Sequence, residues 1–321
     1  MTGTAPAPRG ESLADRLVAA AMIAGWSVVP RLPERLAARL FRLLADLVWR
    51  RRGKGVRRLE ANLARVVGKD PADPQVRALA RAGMRSYFRY WCEALRLPAM
   101  SRERILGGTR ITGWERIEEN LRRGRGVVVA LPHMGNWDAA GAWMVHTGYP
   151  FTTVAERLRP EALFAKFVAY RERLGMEVLP LTRRDGGSAQ AFATLARRLR
   201  EGRPVCLPAE RDPTAVGVEV DFFGARARMV AGAALLAIQT GAALIPAVLW
   251  FDGDGWGIRV HEEIPVPAEG DRQTKVAVMT QAMADVFAQG IAEHPEDWHM
   301  LQRIWLDDLE PAGPRPEGGA P

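Results

Sequence analysis

Few side chains in this 321-residue sequence combine reactivity with a usable spacing, and His133 leads them. It stands in Leu131-Pro132-His133-Met134-Gly135-Asn136-Trp137-Asp138, directly after the apolar run Gly126–Leu131. Imidazole changes charge near neutral pH, so it can take a proton from a hydroxyl and later return it. Pro132 ends the strand, Gly135 and Asn136 suit a turn with Asn136 as helix cap, and Asp138 falls in the next helix's first turn. A carboxylate there can accept a bond from one ring nitrogen and leave the other as a base. His146, His261, His294 and His299 have no acid at that offset. A strand-end histidine that only caps a helix would show the same local pattern, so context must decide.

A second loaded strand end reads Cys206-Leu-Pro-Ala-Glu210-Arg211-Asp212. Three charged side chains directly after an apolar strand form either a surface loop or a site. Nothing in the sequence matches a nucleophile elbow, a phosphate loop or a dinucleotide fingerprint, so a serine-hydrolase route lacks its nucleophile. Cys92 and Cys206 are distant and have no Cys or His at metal spacing, which argues for a reducing compartment and against a disulfide or a zinc site.

The elements that must hold these residues alternate. Strand-length apolar runs are Gly126–Leu131, Phe151–Ala155, Glu177–Leu181, Pro204–Leu207, Ala243–Leu249 and the shorter Ile258–Val260. Helical patterns lie between them at Trp137–Thr147, Glu161–Leu174, Ser188–Glu201, Val230–Thr240 and Lys275–His294. Continuous apolar strands alternating with helices imply an α/β fold with a largely parallel central sheet flanked by helices. Ligands in such sheets gather at the carboxyl ends of strands.

The first third differs. Residues 1–66 hold 13 Lys/Arg against 5 acids, which is the whole of the net +8. A basic end on a neutral body suggests nucleic acid, an anionic membrane or a solvated arginine-rich face. The neutral remainder opposes nucleic acid. The apolar stretch Leu17–Val29 is 13 residues long, short of the ~20 that span hydrocarbon. Glu11 and Asp15 sit where a basic secretion leader would be. From Pro33 to Arg52, Leu36, Leu40, Leu43, Leu44, Leu47 and Val48 recur at helical steps beside arginines, followed by Trp49 and Arg50-Arg51-Arg52. That is the composition of an interfacial helix, and pattern alone equally allows a helix packed on its own domain. The charge asymmetry favours a docking role for Arg50, Arg51 and Arg52. Arg77, Arg81, Arg85 and Arg89 repeat at four-residue steps in a further helix, Gln75–Leu97, where an amphipathic helix needs no ligand to explain them. The expected organisation is 1–11 disordered, 12–105 an N-terminal helical membrane-docking region, 106–309 an α/β core and 310–321 a disordered tail.

These motifs together resemble the acyltransferases of the His-x4-Asp type, in the branch of the lipid A and phosphatidylinositol mannoside enzymes. The resemblance runs from about Arg58 to Trp250 through Arg58…Asn62-Leu63, Glu93, Leu-Pro-His133-x-Gly-Asn-Trp-Asp138, Ala-Glu210-Arg-Asp, Phe-Phe-Gly and Thr-Gly-Ala-x-x-Ile-Pro. Glu210-Arg211-Asp212 followed by Gly217-Val-Glu-Val-Asp-Phe-Phe-Gly224 looks most like the mannoside branch. The resemblance implies transfer of a long acyl chain, palmitoyl, from acyl-CoA to a mannose hydroxyl. His133 would be the general base, Asp138 its orienting acid and Glu210 the carboxylate that supports the imidazolium. Arg171, Arg211 and Asp212 are the implied substrate-binding residues. It also implies a monomer, no acyl-enzyme, no metal, no cofactor besides the co-substrate acyl-CoA, a glycolipid acceptor and a peripheral place on the cytoplasmic face of the plasma membrane. Lipid A-type or lysophospholipid acceptors, and a non-catalytic membrane-binding scaffold, are the alternatives. Ala225–Met229 departs from the pattern, since many relatives carry Pro and Thr there.

Overall fold

The computed structural model describes residues 25–156, 161–181, 187–212 and 216–309. The stretches expected to be disordered, 1–11 and 310–321, and most of Leu17–Val29 lie outside them. Helices α1 (Glu34–Arg51), α2 (Lys54–Val67), α3 (Pro74–Arg96) and α4 (Arg102–Gly108) precede the sheet. Then follow β1 (Thr109–Thr112), α5 (Trp114–Arg122), β2 (Val127–Leu131), α6 (Trp137–His146), β3 (Thr152–Glu156), α7 (Glu161–Arg173), β4 (Glu177–Leu181), α8 (Gly187–Arg200) and β5 (Pro204–Pro208). The chain continues with β6 (Val218–Phe222), β7 (Ala225–Met229), α9 (Gly232–Thr240), β8 (Ala243–Asp252), β9 (Gly255–Val260), α10 (Arg272–Glu293) and α11 (Leu306–Leu309).

Seven strands form the central sheet in the order β1-β9-β8-β2-β5-β3-β4. Every pairing is parallel except β8 with β9. That exception has a local cause. Asp252 pairs with Gly255 across a two-residue turn at Gly253-Asp254, with Gly253 at φ 56°, and a turn this short joins only antiparallel strands. All five residues of β2 are buried, as expected of a strand covered on both faces. β6 and β7 make a separate hairpin turning at Phe223 (φ 50°) and Gly224 (φ 71°).

The N-terminal helices share the core of the sheet. Leu59, Leu63 and Met84 pack in one buried cluster with Val128, Ala130 and Val205. Asn62 is fully buried, and its amide donates to the carbonyls of Met300 and Gln302. The arginine ladder of α3 serves packing: Arg81 and Arg85 both grip Asp46 of α1 with paired bonds of 2.7–3.0 Å. Those bonds hold the Asp46 carboxyl well below its ordinary value against the opposing effect of burial. Among the described residues no helix is long and apolar enough to cross a membrane.

Candidate active site

Strand register brings the two loaded strand ends together. β2 and β5 run parallel with Val127 beside Pro204 and Leu131 beside Pro208, an offset of 77 positions. Continued past the strand ends, the same offset sets His133 opposite Glu210, and the Ala209 N–H to Leu131 carbonyl bond of 2.9 Å keeps the chains together there. His133 Nδ1 lies 2.9 and 2.8 Å from the two Glu210 oxygens, and its backbone N–H donates to Oε1 at 2.5 Å. A carboxylate on Nδ1 fixes the proton on that nitrogen and leaves Nε2 with its lone pair. Glu210 is fully buried. Burial alone would push its carboxyl up, but the His133 charge and the ring and backbone donors prevail and hold it below the usual value.

Asp138 has different partners. The sequence suggests a bond from His133 to Asp138. Instead Asp138 accepts the Tyr90 hydroxyl at 2.8 Å and the Arg171 guanidinium at 2.8 and 3.4 Å. Near the N-terminus of α6 its side chain turns towards α3 and α7, where it is 1 % exposed. The Arg171 side chain is 12 % exposed; burial works against its charge, and Asp138 outweighs that effect. Arg211 pairs with Glu156 at the end of β3 at 2.9 Å, and Asp212 accepts the Gly217 N–H at 2.7 Å. Arg211 and Asp212 thus brace the segment that follows β5.

The His133 loop is gripped from three sides. Gly135 has φ 60°, and a Cβ there would meet the Leu249 carbonyl carbon at 2.8 Å, so only glycine fits. Asn136 caps α6 by accepting the Ala139 N–H, and its amide donates to Glu93 of α3. Glu93 also takes the Trp256 indole N–H and the Arg89 guanidinium. Beside the loop, a narrow apolar cavity of about 80 Å³ lies between the sheet and helices α5 and α6. Its lining includes Leu131, Trp137, Trp143, Met176, Cys206 and Leu249, with Asp138 and Arg171 as its charged members. The Trp137 ring meets the His133 ring edge-on at 5.7 Å.

A strand-end imidazole seated on a buried carboxylate, next to a narrow apolar cavity, suits proton transfer at the head of a long hydrocarbon chain. The family model of bacterial lipid A biosynthesis acyltransferases matches residues 11–307. The chain belongs to that family. This acyltransferase is also 52 % identical over 286 residues to the phosphatidylinositol mannoside acyltransferase of Mycolicibacterium smegmatis, covering 89 % of this chain and 90 % of that one. It is 48 % identical over 299 residues to the protein of the same name in Mycobacterium tuberculosis, with 90 % and 89 % covered. Tyr90, Ser86, Asp297 and His299 also stand by the His133 loop and Asp138, and nothing in their sequence context marks them. Tyr90 reads there as one more aromatic of an amphipathic helix, and His299 lacks an acid at the expected offset.

Proposed function

We propose that this acyltransferase moves a palmitoyl-length chain from acyl-CoA to a mannose hydroxyl of a phosphatidylinositol mannoside, with His133 as general base. The observation that carries the reading is the buried Glu210 carboxylate on His133 Nδ1 at the edge of the apolar cavity. Nε2 takes the hydroxyl proton as the oxygen attacks the thioester carbonyl. When the adduct collapses, the carbon–sulfur bond breaks and the imidazolium returns its proton to the departing thiolate. Glu210 offsets the imidazolium charge between those steps, and a positioned base is worth about 10²–10⁴-fold.

Transfer is direct in this account. Burial pushes the Cys92 thiol up to about 11, and pushes Cys206 up further, so neither is a ready nucleophile. The cavity takes the acyl chain, and Asp138, Arg171 and Tyr90 fix the wall beside its head. Arg211 and Asp212, braced next to Glu210, are our candidates for contacts to donor or acceptor. The mannoside acceptor comes from the names of the relatives.

Docking follows from α1. Leu36, Leu40, Leu43, Leu44 and Leu47 are each at least 42 % exposed in one stripe, and Arg35, Arg39, Arg42, Arg50 and Arg51 stand exposed around it. A leucine ridge rimmed by cations fits an anionic lipid surface. The test of the reading is incubation with labelled palmitoyl-CoA and three acceptors: a phosphatidylinositol mannoside, a lysophospholipid and a lipid A-type disaccharide. Mass analysis should find the ester on the mannoside. Label on either other acceptor would move the acceptor assignment, and no transfer to any of them by folded protein would refute it.

A further inference from the structure

Behind His133 lies a second histidine that the transfer steps above leave unused. His299 is 7 % exposed and Asp297 4 %, and both meet the Ser86 hydroxyl of α3. Ser86 Oγ donates to Asp297 Oδ1 at 2.6 Å and stands 2.9 Å from His299 Nε2. The other Asp297 oxygen accepts the Phe251 N–H at 2.8 Å. The main chain of the same segment pairs with the loop carrying His133. The Gly135 N–H donates to the Asp297 carbonyl at 2.9 Å and the His299 N–H to the His133 carbonyl at 2.8 Å, with Met134 and Trp298 bridged between.

The protons in this cluster can be placed. Ser86 gives its hydrogen to the carboxylate, so the contact to His299 acquires one only if Nε2–H donates to Ser86 Oγ. Nδ1 is then a bare lone pair, and it is a buried atom with no partner. The reverse order would require a protonated Asp297 and would bury an N–H with no acceptor, which costs more than an idle lone pair. Burial, helped by the His133 charge, pushes the His299 ring down to about 3, so it stays neutral at working pH. The rings packed on it are Tyr87, Tyr90, Trp137 and Phe251, and burial holds both tyrosines protonated. The charged groups bonded around the two histidines are Glu210 on His133, Asp297 on Ser86, and Asp138 paired with Arg171, with Glu93 reaching the loop through Asn136. Burial raises the Asp297 carboxyl, against the Ser86 and Phe251 donors that favour its charge. A neutral His299 adds no cation to oppose the imidazolium that His133 becomes.

We propose that Ser86, Asp297 and His299 form a positioning clamp that holds the His133 main chain so that its ring stays seated on Glu210. The clamp rests on His133 being the base. All three act through His133 and touch no reacting atom.

The experiment compares Ser86→Ala with Ser86→Thr, which keeps the hydroxyl, in the full-length acyltransferase. Ser86→Ala should lower kcat about 10–100-fold, the scale on which a small misplacement of a catalytic group costs rate, and leave both KM values within about two-fold. Ser86→Thr should regain most of the rate. A folded Ser86→Ala variant with wild-type kcat would overturn the clamp, as would a change in KM alone or a Ser86→Thr variant as slow as Ser86→Ala. Nitrogen NMR of the wild-type protein decides the case if the variant does not fold. His299 should show one neutral Nε2–H tautomer from about pH 5 to about pH 8, and a titrating ring or an Nδ1–H would overturn the proposal. His133→Ala run alongside separates the two claims. Activity retained there removes the base, whereas an inactive His133→Ala beside a wild-type Ser86→Ala removes only the clamp.

Discussion

Two acids stand close to His133, and only one of them holds its ring. Glu210 is 77 positions away in sequence and bonds Nδ1 twice, while Asp138, five positions away, is bound by Tyr90 and Arg171. Replacing Glu210 by Gln keeps the shape and removes the charge that stabilises the imidazolium. Glu210→Gln should therefore lower kcat by about 10–10²-fold with little change in acceptor KM, since the lost interaction is strongest in the transition state. Wild-type turnover in the Gln variant would place Glu210 outside the reaction. At this scale the sequence was legible where strand geometry governs, since aligned strand ends carry the pairing of 133 with 210. It misled at Asp138, where nearness along the chain says nothing of side-chain direction. The pull of Tyr90 from α3 and Arg171 from α7 decides that direction, and these contacts come from distant segments.

Apolar runs such as Gly126–Leu131 and Ala243–Leu249 announced their strands, and periodic leucines announced α1. β1 and the β6–β7 hairpin were less visible, because Thr109–Thr112 and Ala225–Met229 alternate polar and apolar residues over only four or five positions. The exposed ridge of α1 carries the prediction proper to an element. Leu40, Leu43 and Leu47 replaced together by Gln should weaken binding to anionic vesicles by about 1 kcal/mol per side chain that half leaves water. Thermal stability should hold, since each of these leucines is already at least 42 % exposed in the fold. Arg50 and Arg51 should each add about 1 kcal/mol at low salt. Arg52 belongs to the fold instead: at φ 47° its guanidinium grips the buried Glu60 at 2.9 and 3.2 Å. Vesicle sedimentation of the triple-Gln variant checks the ridge, and binding equal to the parent would reassign α1 to solvent.

Trp298 and Met300, either side of His299, pack in the buried cluster that joins the N-terminal helices to the sheet, so a buried group there bears on the stability of the whole molecule. His299 has a folded pKa near about 3 against an ordinary 6.5. The unfolded chain therefore takes up its proton first as pH falls, so the contribution of His299 is complete above the ordinary value and is lost between there and the folded value. The slope is at most about 1.4 kcal/mol per pH unit. Urea unfolding at about pH 7 and about pH 5 should show a smaller loss for His299→Gln than for the wild type, and equal losses would contradict the buried neutral ring. The central claim is tested by removing the His133 side chain, which is 31 % exposed at a strand end, while the backbone N–H of residue 133 still holds the buried Glu210 carboxylate. The decisive measurement is transfer of labelled palmitate from acyl-CoA to a phosphatidylinositol mannoside by His133→Ala, with vesicle binding and melting recorded on the same sample. Transfer should fall by at least about 10²-fold with vesicle binding unchanged and the protein still folded, melting lower only because the buried Glu210 loses its ring partner; a variant that kept more than a few per cent of the wild-type rate would contradict general-base catalysis by His133.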